Sequence, residues 1–213
     1  MIKNFNIQKI TKKECKSILE GHHYLSKINK GFRGGYNFGL FNKGVLVGVC
    51  IFHSPSVPET VKGCFNLKRT NQNGIFELGR LCLVPTITQK NILSWFVAKC
   101  IKLLRKEINV RAILSYADSS FHNGYIYQAT NFGYYGLTDK KKDFWFDNGN
   151  GTYTKHQRGP VKGHKGEWRP RARKHRYLLV YDLNLKCEWS EKSYPKSPNT
   201  SPLNKKPTPI SVG

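Results

Sequence analysis

The pattern of apolar and polar positions predicts a chain of alternating strands and helices. Residues 36–41 and 45–52 are apolar runs joined by an Asn-Lys-Gly turn sequence at 42–44, which predicts a β-hairpin. Residues 76–84 (FELGRLCLV) predict another strand, and Pro85 ends it because proline has no backbone N–H to donate. A helix is predicted at residues 10–20, with Thr11 at its start.

The strongest helical signal covers residues 91–108. Apolar residues recur there every three or four positions and form one stripe, made of Leu93, Val97, Ile101, Leu104 and Ile108. The segments that follow predict a buried strand at 112–117, a second helix at 122–130, and strands at 132–137, 144–146 and 177–183. This order predicts a single mixed α/β domain over residues 1–190. Residues 191–213 are rich in Pro, Ser and Lys, which predicts a disordered tail.

The net charge of the chain indicates what kind of partner it binds. The chain carries 36 Lys and Arg against 13 Asp and Glu, a net charge of +23, while 38% of its residues are hydrophobic. The hydrophobic content excludes a wholly disordered basic protein. The charge would repel itself without a polyanionic partner, so nucleic acid is expected.

The sequence predicts no membrane or secretory segment. Its longest apolar run, residues 45–52, is too short to cross a bilayer, and no signal-peptide pattern opens the chain. The six cysteines include no C-x-x-C pair and are expected to be reduced. A cytoplasmic protein is therefore expected, and its oligomeric state stays open, a homodimer included.

The densest positive charge lies in residues 155–176. These side chains are predicted to follow nucleic-acid phosphates, with Trp168 as a stacking surface. The cationic residues are Lys155, Arg158, Lys162, Lys165, Arg169, Arg171, Arg173, Lys174 and Arg176. The alternatives are a solvated basic loop and a general RNA-binding segment.

Three polar residues at strand positions are candidates for chemistry. Arg80 lies in an apolar strand, where a guanidinium needs a carboxylate or a ligand anion, or else lies on the polar face of that strand. Asp118 follows a buried strand and suits a base, a helix N-cap, or both. Ser115 lies on the opposite face of that strand from Asp118, which makes it a weaker candidate.

The order of these motifs resembles the GNAT acetyltransferase superfamily. There, a strand such as residues 76–84 diverges from its neighbour, and an acyl thioester lies in the gap. The last core helix of that superfamily carries a tyrosine and leads into Gly-Phe, which residues 126–132 (IYQATNF) match with Asn131 in place of the glycine. Asn tolerates positive φ better than most residues, so Asn131 is expected in the left-handed region. The resemblance places Tyr127 beside the reacting group.

A narrower resemblance is to the Mom family of phage DNA-modification proteins. It rests on four motifs in order within residues 21–137: HHYLS at 22–26, ELGRL at 77–81, SYAD at 115–118 and IYQATNF at 126–132. The resemblance implies an enzyme that converts the N6 amine of adenine in DNA to a methylcarbamoyl (acetamido-type) form and so protects phage DNA from host restriction. Adenine is paired inside the duplex, so the base must be flipped out or caught unpaired.

The resemblance also implies roles for the candidate residues. Arg80 would hold the small-molecule donor, Asp118 would orient or deprotonate the adenine amine, and Tyr127 would donate a proton or bind the donor. Ser115 is the fourth catalytic candidate. The aromatic residues suited to receive a flipped base are Tyr24, Phe32, Tyr36, Tyr134 and Trp145.

A histidine-rich segment follows the first predicted helix. The resemblance places His22, His23 and Tyr24 in the region that closes over the substrate. Two imidazoles and Asp118 would suit a two-His-one-carboxylate iron site, but a loop histidine that contacts phosphate is favoured over a metal ligand.

The sequence gives weaker evidence for the cofactor than for the substrate. Acetyltransferases of the superfamily bind the CoA pyrophosphate with a Gly-rich loop at a helix N-terminus. The corresponding residues 84–91 contain no glycine, which argues against acyl-CoA because close backbone approach is harder. Thr86, Thr88 and Lys90 are the candidates there for phosphate contact. The alternative functions are an ordinary acyl-CoA-dependent N-acetyltransferase and a non-enzymatic nucleic-acid-binding protein.

Overall fold

A computed structural model of the chain describes residues 4–23, 31–156 and 159–196. Its strands, in chain order, are β1 (Phe5–Lys9), β2 (Tyr36–Asn42), β3 (Val45–His53), β4 (Ile75–Leu83), β5 (Ala112–Asp118), β6 (Gly133–Leu137), β7 (Lys142–Asp147), β8 (Tyr153–Lys155), β9 (Gly166–Pro170) and β10 (Lys174–Val180). Seven of them form one mixed sheet in the order β1-β2-β3-β4-β5-β10-β6, and β8-β7-β9 form a second, smaller sheet. Within the large sheet β4 and β5 pair in parallel, and the other pairings are antiparallel.

Among the described residues, four α-helices accompany the strands: α1 (Lys12–His22), α2 (Pro58–Phe65), α3 (Ile92–Glu107) and α4 (Tyr125–Gln128). Thr11 begins α1 as predicted, because its hydroxyl accepts from the Glu14 N–H at 3.2 Å while the Glu14 carboxylate accepts from the Thr11 N–H at 2.7 Å. This reciprocal capping satisfies two amides that the first helical turn leaves unpaired.

The apolar stripe of α3 packs on one face of the large sheet. Phe96, Val97 and Leu104 are fully buried there with Phe38 and Phe52 of the sheet. The opposite face is covered by α1, through Ile18 and Leu19 against Val49 and Ile51, and by α2. Each fully buried side chain of this size contributes about 2 kcal/mol through the hydrophobic effect. The mixed α/β fold predicted from the sequence is confirmed, with helices on both faces of the sheet.

The structure corrects several predicted elements. It adds β1, α2 and the strands β8 and β9, and it shortens the helix predicted at 122–130 to the four residues of α4. The strand predicted at 177–183 begins earlier, at Lys174, so the end of the basic segment belongs to the large sheet.

The C-terminal segment also differs from its prediction. The Lys192 N–H donates to the Tyr134 carbonyl at 2.8 Å, and the Tyr194 hydroxyl donates to the Phe132 carbonyl at 2.9 Å. The start of the predicted tail is therefore packed against the core, while residues 197–213 lie outside the described residues.

All six cysteines are free thiols. In the described residues, no helix has the length and apolar character needed to cross a membrane.

Candidate active site

A cavity of about 620 Å³ opens where β4 and β5 separate. The two strands pair only from Ile75 to Leu78 and from Ala112 to Ser115. At the same point Phe52 of β3 faces Leu78 and Ile51 faces Arg80, so Gly79 is an extra residue that forms a β-bulge. The bulge bends β4 away from β5 and creates the gap that the sequence motifs predicted.

Glycine is required at this bulge by the packing of His53. A Cβ atom at position 79 would lie 2.0 Å from His53 Nε2. The His53 ring is buried, and its Nδ1 donates to the Ser54 carbonyl at 2.8 Å, so it has little freedom to move. Within the ELGRL motif, Gly79 therefore allows the bulge that shapes the gap, and Arg80 gives the gap a positive charge.

Three of the predicted catalytic residues, Arg80, Asp118 and Tyr127, line this cavity together with His23. They come from β4, β5, α4 and the end of α1, four elements that are far apart in sequence. Lys174 of β10 lines it as well, although the sequence predicted this lysine only as part of the basic segment.

Arg80 and Asp118 supply the opposite charges of the cavity. The Arg80 guanidinium donates to the Gly79 carbonyl at 2.7 Å, which folds the side chain back over the bulge. One carboxylate oxygen of Asp118 accepts from the Ser120 N–H at 3.0 Å, and its carbonyl accepts from the amides of Phe121 and His122. Asp118 thus caps a turn rather than α4, whose N-cap is Gly124, and it also faces the cavity.

Tyr127 is held by the turn that ends α4. Asn131 adopts φ 64°, the left-handed conformation expected for it, and the Phe132 N–H then donates to the Tyr127 carbonyl at 3.0 Å. The Tyr127 ring packs against Phe132 and Tyr177 at centroid distances of 5.6 and 5.2 Å. Burial raises the pKa of Tyr177 to about 12, so this neighbour stays a neutral phenol.

Two histidines in the cavity wall are neutral at pH 7. Burial, with added repulsion from Arg80 and His122, lowers the pKa of His23 to about 4. Partial desolvation also lowers the pKa of His122, although Asp118 opposes it. The Gly124 N–H donates to His122 Nδ1 at 3.2 Å, which leaves the proton of the neutral ring on Nε2. The cavity wall therefore contains two neutral imidazoles in addition to the Asp118 and Glu77 carboxylates, and side chains of these kinds can transfer protons.

The sequence prediction missed three further cavity residues: Glu77, Tyr116 and Tyr125. Tyr116 shares the strand face of Asp118, so alternation along β5 was a signal for it. Burial and the nearby Glu77 raise the pKa of Tyr116, which keeps its phenol protonated. The Glu77 carboxylate accepts from the Ser56 N–H at 2.8 Å, and no sequence signal indicated this contact.

Several predicted residues do not line the cavity. Ser115 is fully buried and donates to the Leu78 carbonyl at 3.1 Å, which ties β5 to β4 where their pairing ends. This placement does not support a catalytic role for Ser115, because strand alternation turns it away from Asp118. His22 is exposed outside the cavity, and Tyr24 and Arg158 lie outside the described residues.

The described residues also do not form the iron site considered from the sequence. No group of three or more His, Cys, Asp or Glu side chains in residues 4–23, 31–156 and 159–196 is placed to hold a metal ion. His22 and His23 are adjacent, and only His23 faces the cavity with Asp118.

The loop that would hold a CoA pyrophosphate does not fit that role. Thr86, Thr88 and Lys90 are exposed and lie outside the cavity lining. Two amides of the region are used internally, because the Ile87 N–H donates to the Val84 carbonyl at 3.1 Å and the Ile92 N–H to the Gln89 carbonyl at 3.2 Å. Without glycine, residues 84–91 form no backbone cradle of the Gly-rich type for a CoA pyrophosphate.

Four of the five aromatic residues predicted to receive a flipped base are described by the structure, and none of these four lines the cavity. Tyr36 packs edge-on against Phe76, Tyr134 is buried against His175, and Trp145 lies under the Arg169 guanidinium. Lys12 covers the Phe32 ring. The aromatic residues at the cavity are instead Tyr116, Tyr125 and Tyr127.

Much of the basic segment is used to build the protein. Lys155 and Arg171 both pair with the buried Asp143 of β7. Hydrogen bonds from these two cations outweigh burial and lower the pKa of Asp143. Arg169 pairs with Glu167 and stacks over the rings of Tyr153 and Trp145 at 4.3 and 4.9 Å.

Arginines at the end of the basic segment hold neighbouring backbone. Arg173 donates to the Thr138 carbonyl at 2.6 Å, and Arg176 donates to the Tyr135 carbonyl at 3.1 Å while it stacks on Trp189. Lys162 and Lys165 are exposed and form no ion pair within the described part of the chain. Trp168 is 56% exposed. These three residues and Lys174 are exposed at the surface of residues 159–176.

The fold is that of the acetyltransferases. The chain is similar to a putative acetyltransferase from Salmonella typhimurium solved with its cofactor acetyl-CoA (TM-score 0.50, 13% identity, 83% of this chain and 94% of that chain covered). It is equally similar to the IAA acetyltransferase from Bacillus cereus (TM-score 0.50, 12% identity, coverage 83% and 99%) and to the ribosomal-protein-alanine N-acetyltransferase from Brucella melitensis (TM-score 0.50, 11% identity, coverage 83% and 99%).

The sequence itself defines the family more narrowly. Residues 4–196 match the model of the Mom protein family, so the chain belongs to that family. None of the curated proteins matches the sequence.

Proposed function

We propose that this protein modifies the N6 amine of adenine in phage DNA to a methylcarbamoyl (acetamido-type) form and thereby protects the DNA from restriction in the host cytoplasm. The observation that carries the proposal is the convergence of Arg80, Asp118 and Tyr127 on one cavity at the divergence of β4 and β5. Its volume of about 620 Å³ lies in the ordinary range for small-molecule sites, so donor and base can share it.

The cavity contains side chains suited to act on the adenine amine, on the leaving group of the donor and on an anionic part of the donor. Asp118 uses one oxygen for the Ser120 amide and leaves the other to orient or deprotonate the adenine amine. Tyr127 supplies a phenol for the leaving group of the donor, and Arg80 supplies a cation for an anionic part of the donor. The pyrophosphate loop of acyl-CoA enzymes is lacking, which favours a donor other than acyl-CoA.

The charge of the chain suits a DNA substrate. Lys162 and Lys165 are exposed in the segment between β8 and β9, and Trp168 of β9 offers an exposed ring. Together they would hold the duplex by its phosphates while a flipped adenine enters the cavity.

The test is the nucleoside composition of DNA from cells that express the protein. Plasmid DNA is digested to nucleosides and analysed by mass spectrometry, and its resistance to restriction enzymes is measured. We expect deoxyadenosine with an added acetamido group for the wild type, and loss of this product in the soluble variants Asp118→Asn and Tyr127→Phe.

Ser115→Ala is the matched control, because Ser115 lies on the same strand as Asp118 but outside the cavity. It is expected to keep the modified nucleoside and to lose about 1 kcal/mol of unfolding free energy. Unmodified deoxyadenosine from soluble wild-type protein would overturn the proposal and leave a nucleic-acid-binding protein with an acetyltransferase fold.

A further inference from the structure

The rim of the cavity carries a large aromatic side chain that the proposed chemistry does not use. Tyr125 lines the cavity at the start of α4 and is 70% exposed. The other cavity tyrosines differ from it, since Tyr127 is buried in the core and Tyr116 is half-buried. Core packing therefore does not account for the Tyr125 ring.

The backbone that presents Tyr125 is fixed by its surroundings. Gly124, the N-cap of α4, has φ 80°, and a Cβ atom there would lie 2.4 Å from Tyr177 Cε2. The Gly124 N–H is also bound to His122 Nδ1. The backbone that carries Tyr125 is thus fixed by a tightly packed turn, which reduces the backbone entropy lost when a ligand binds against the ring.

A cation reaches the same mouth from β10. Lys174 lies opposite Asp118 in the β5–β10 register and lines the cavity. Its N–H donates to Thr138 Oγ1 at 2.9 Å, which fixes the strand, while its ammonium group forms no ion pair with any described residue. The mouth thus combines an exposed ring with an unpaired cation, and a carboxylate lies further along the cavity wall.

We propose that Tyr125 and Lys174 form the entry of a nucleotide site, in which Tyr125 stacks on the unpaired adenine and Lys174 neutralises the adjacent phosphate. Every base has an aromatic face, and stacking on a protein ring replaces the stacking that the base loses when it leaves the duplex. The inference rests on the proposed adenine modification, because that reaction requires an extruded base at this cavity.

The test separates the base from the phosphate with two single-stranded oligonucleotides, an oligo(dA) and a matched strand with abasic sites. Tyr125→Ala is expected to weaken oligo(dA) binding about tenfold and to leave binding of the abasic strand unchanged. Tyr125→Phe, which keeps the ring, is expected to bind both strands as the wild type does. Lys174→Gln is expected to weaken both and to make the salt dependence of log Kd shallower by about 0.7.

Either of two binding results would overturn the inference: equal oligo(dA) binding by Tyr125→Ala and the wild type, or an equal loss on both strands in a folded variant. The proposed function is tested separately, by the modified deoxyadenosine that the wild type produces in cells. If the wild type modifies DNA and Tyr125→Ala modifies it equally well, only the nucleotide entry is wrong. If the wild type leaves DNA unmodified while Tyr125→Ala binds oligo(dA) selectively less well, only the chemistry is wrong.

Discussion

At the residue scale, the low pKa of His23 in the cavity wall makes the stability of the fold depend on pH. Burial is the main reason for its low pKa, and Arg80 and His122 add to it. An unfolded histidine has a pKa near 6.5, so the unfolded chain binds a proton at pH values where folded His23 does not. Unfolding is therefore favoured increasingly as the pH falls from about 6.5 towards the folded pKa of about 4.

The variant His23→Gln should flatten this dependence. We expect the wild type to lose about 3 kcal/mol more unfolding free energy than the variant between pH 6.5 and pH 4, because the variant has no imidazole to protonate. Urea unfolding followed by tryptophan fluorescence at several pH values gives the two curves. His122 and His175 contribute slopes of the same sign to both proteins, so only the difference between the curves reports His23. Parallel curves would contradict the assignment.

Some residues of the site could be predicted from the sequence, and others could not. Asp118 and Tyr127 were predicted because each lies in a motif with a fixed place relative to a strand or helix end. The basic residues were harder, since a lysine or arginine gives no local sign of its partner. Asp143 pairs with both Lys155 and Arg171, and these pairings depend on the β7–β8 and β7–β9 registers, which the sequence does not show.

At the scale of elements, the bulge in β4 determines whether the cavity exists. Gly79→Ala would push a methyl group into the buried His53 ring. We expect this change to cost about 2 kcal/mol of unfolding free energy and to lower DNA modification, because β4 must shift where it lines the cavity. Denaturant unfolding and nucleoside mass spectrometry measure the two effects.

The double variant Gly79→Ala/His53→Ala is the control for this explanation. Removing the ring makes room for the new methyl group, so the two substitutions should be non-additive, and the double variant should be more stable than the sum of the single changes predicts. Additive free energies would show that the strain at Gly79 comes from another source.

The elements that the sequence predicted well have strong local patterns. The stripe of α3 and the hairpin of β2 and β3 depend on spacing and turn residues alone. By contrast, β1 is short and lies at the edge of the sheet, α2 begins at a proline within an apparent break, and β8 and β9 contain little apolar alternation. Their formation depends on partners distant in sequence, as does the bulge at Gly79.

At the scale of the whole molecule, the net charge of +23 overstates the number of cations that would be available to the proposed DNA substrate. Arg169, Arg171, Arg173 and Arg176 hold the small sheet and the β6–β10 edge through ion pairs, carbonyl contacts and ring stacking. Composition therefore led to the expectation of a polyanionic partner, but it could not separate the structural cations from the exposed ones. Within residues 159–176, Lys162, Lys165 and Lys174 are exposed and form no ion pair with a described residue.

This distinction predicts which charges control DNA binding. Removing Lys162 and Lys165 together by substitution with alanine should weaken duplex binding and make the plot of log K against log salt shallower by about 1.8, because two phosphate contacts are lost. Fluorescence anisotropy of a labelled duplex at several salt concentrations measures both quantities. The unfolding free energy should stay within about 0.5 kcal/mol of the wild type, since neither ammonium group holds a described partner.

A matched double variant, Lys102→Ala/Lys106→Ala, removes the same charge from the exposed surface of α3. It changes the net charge equally but leaves the segment between β8 and β9 intact, so we expect a smaller loss of affinity and an unchanged salt slope. If both double variants lower the slope equally, DNA is attracted by the overall field of the protein rather than bound at this segment. The site of duplex contact would then have to lie elsewhere on the molecule.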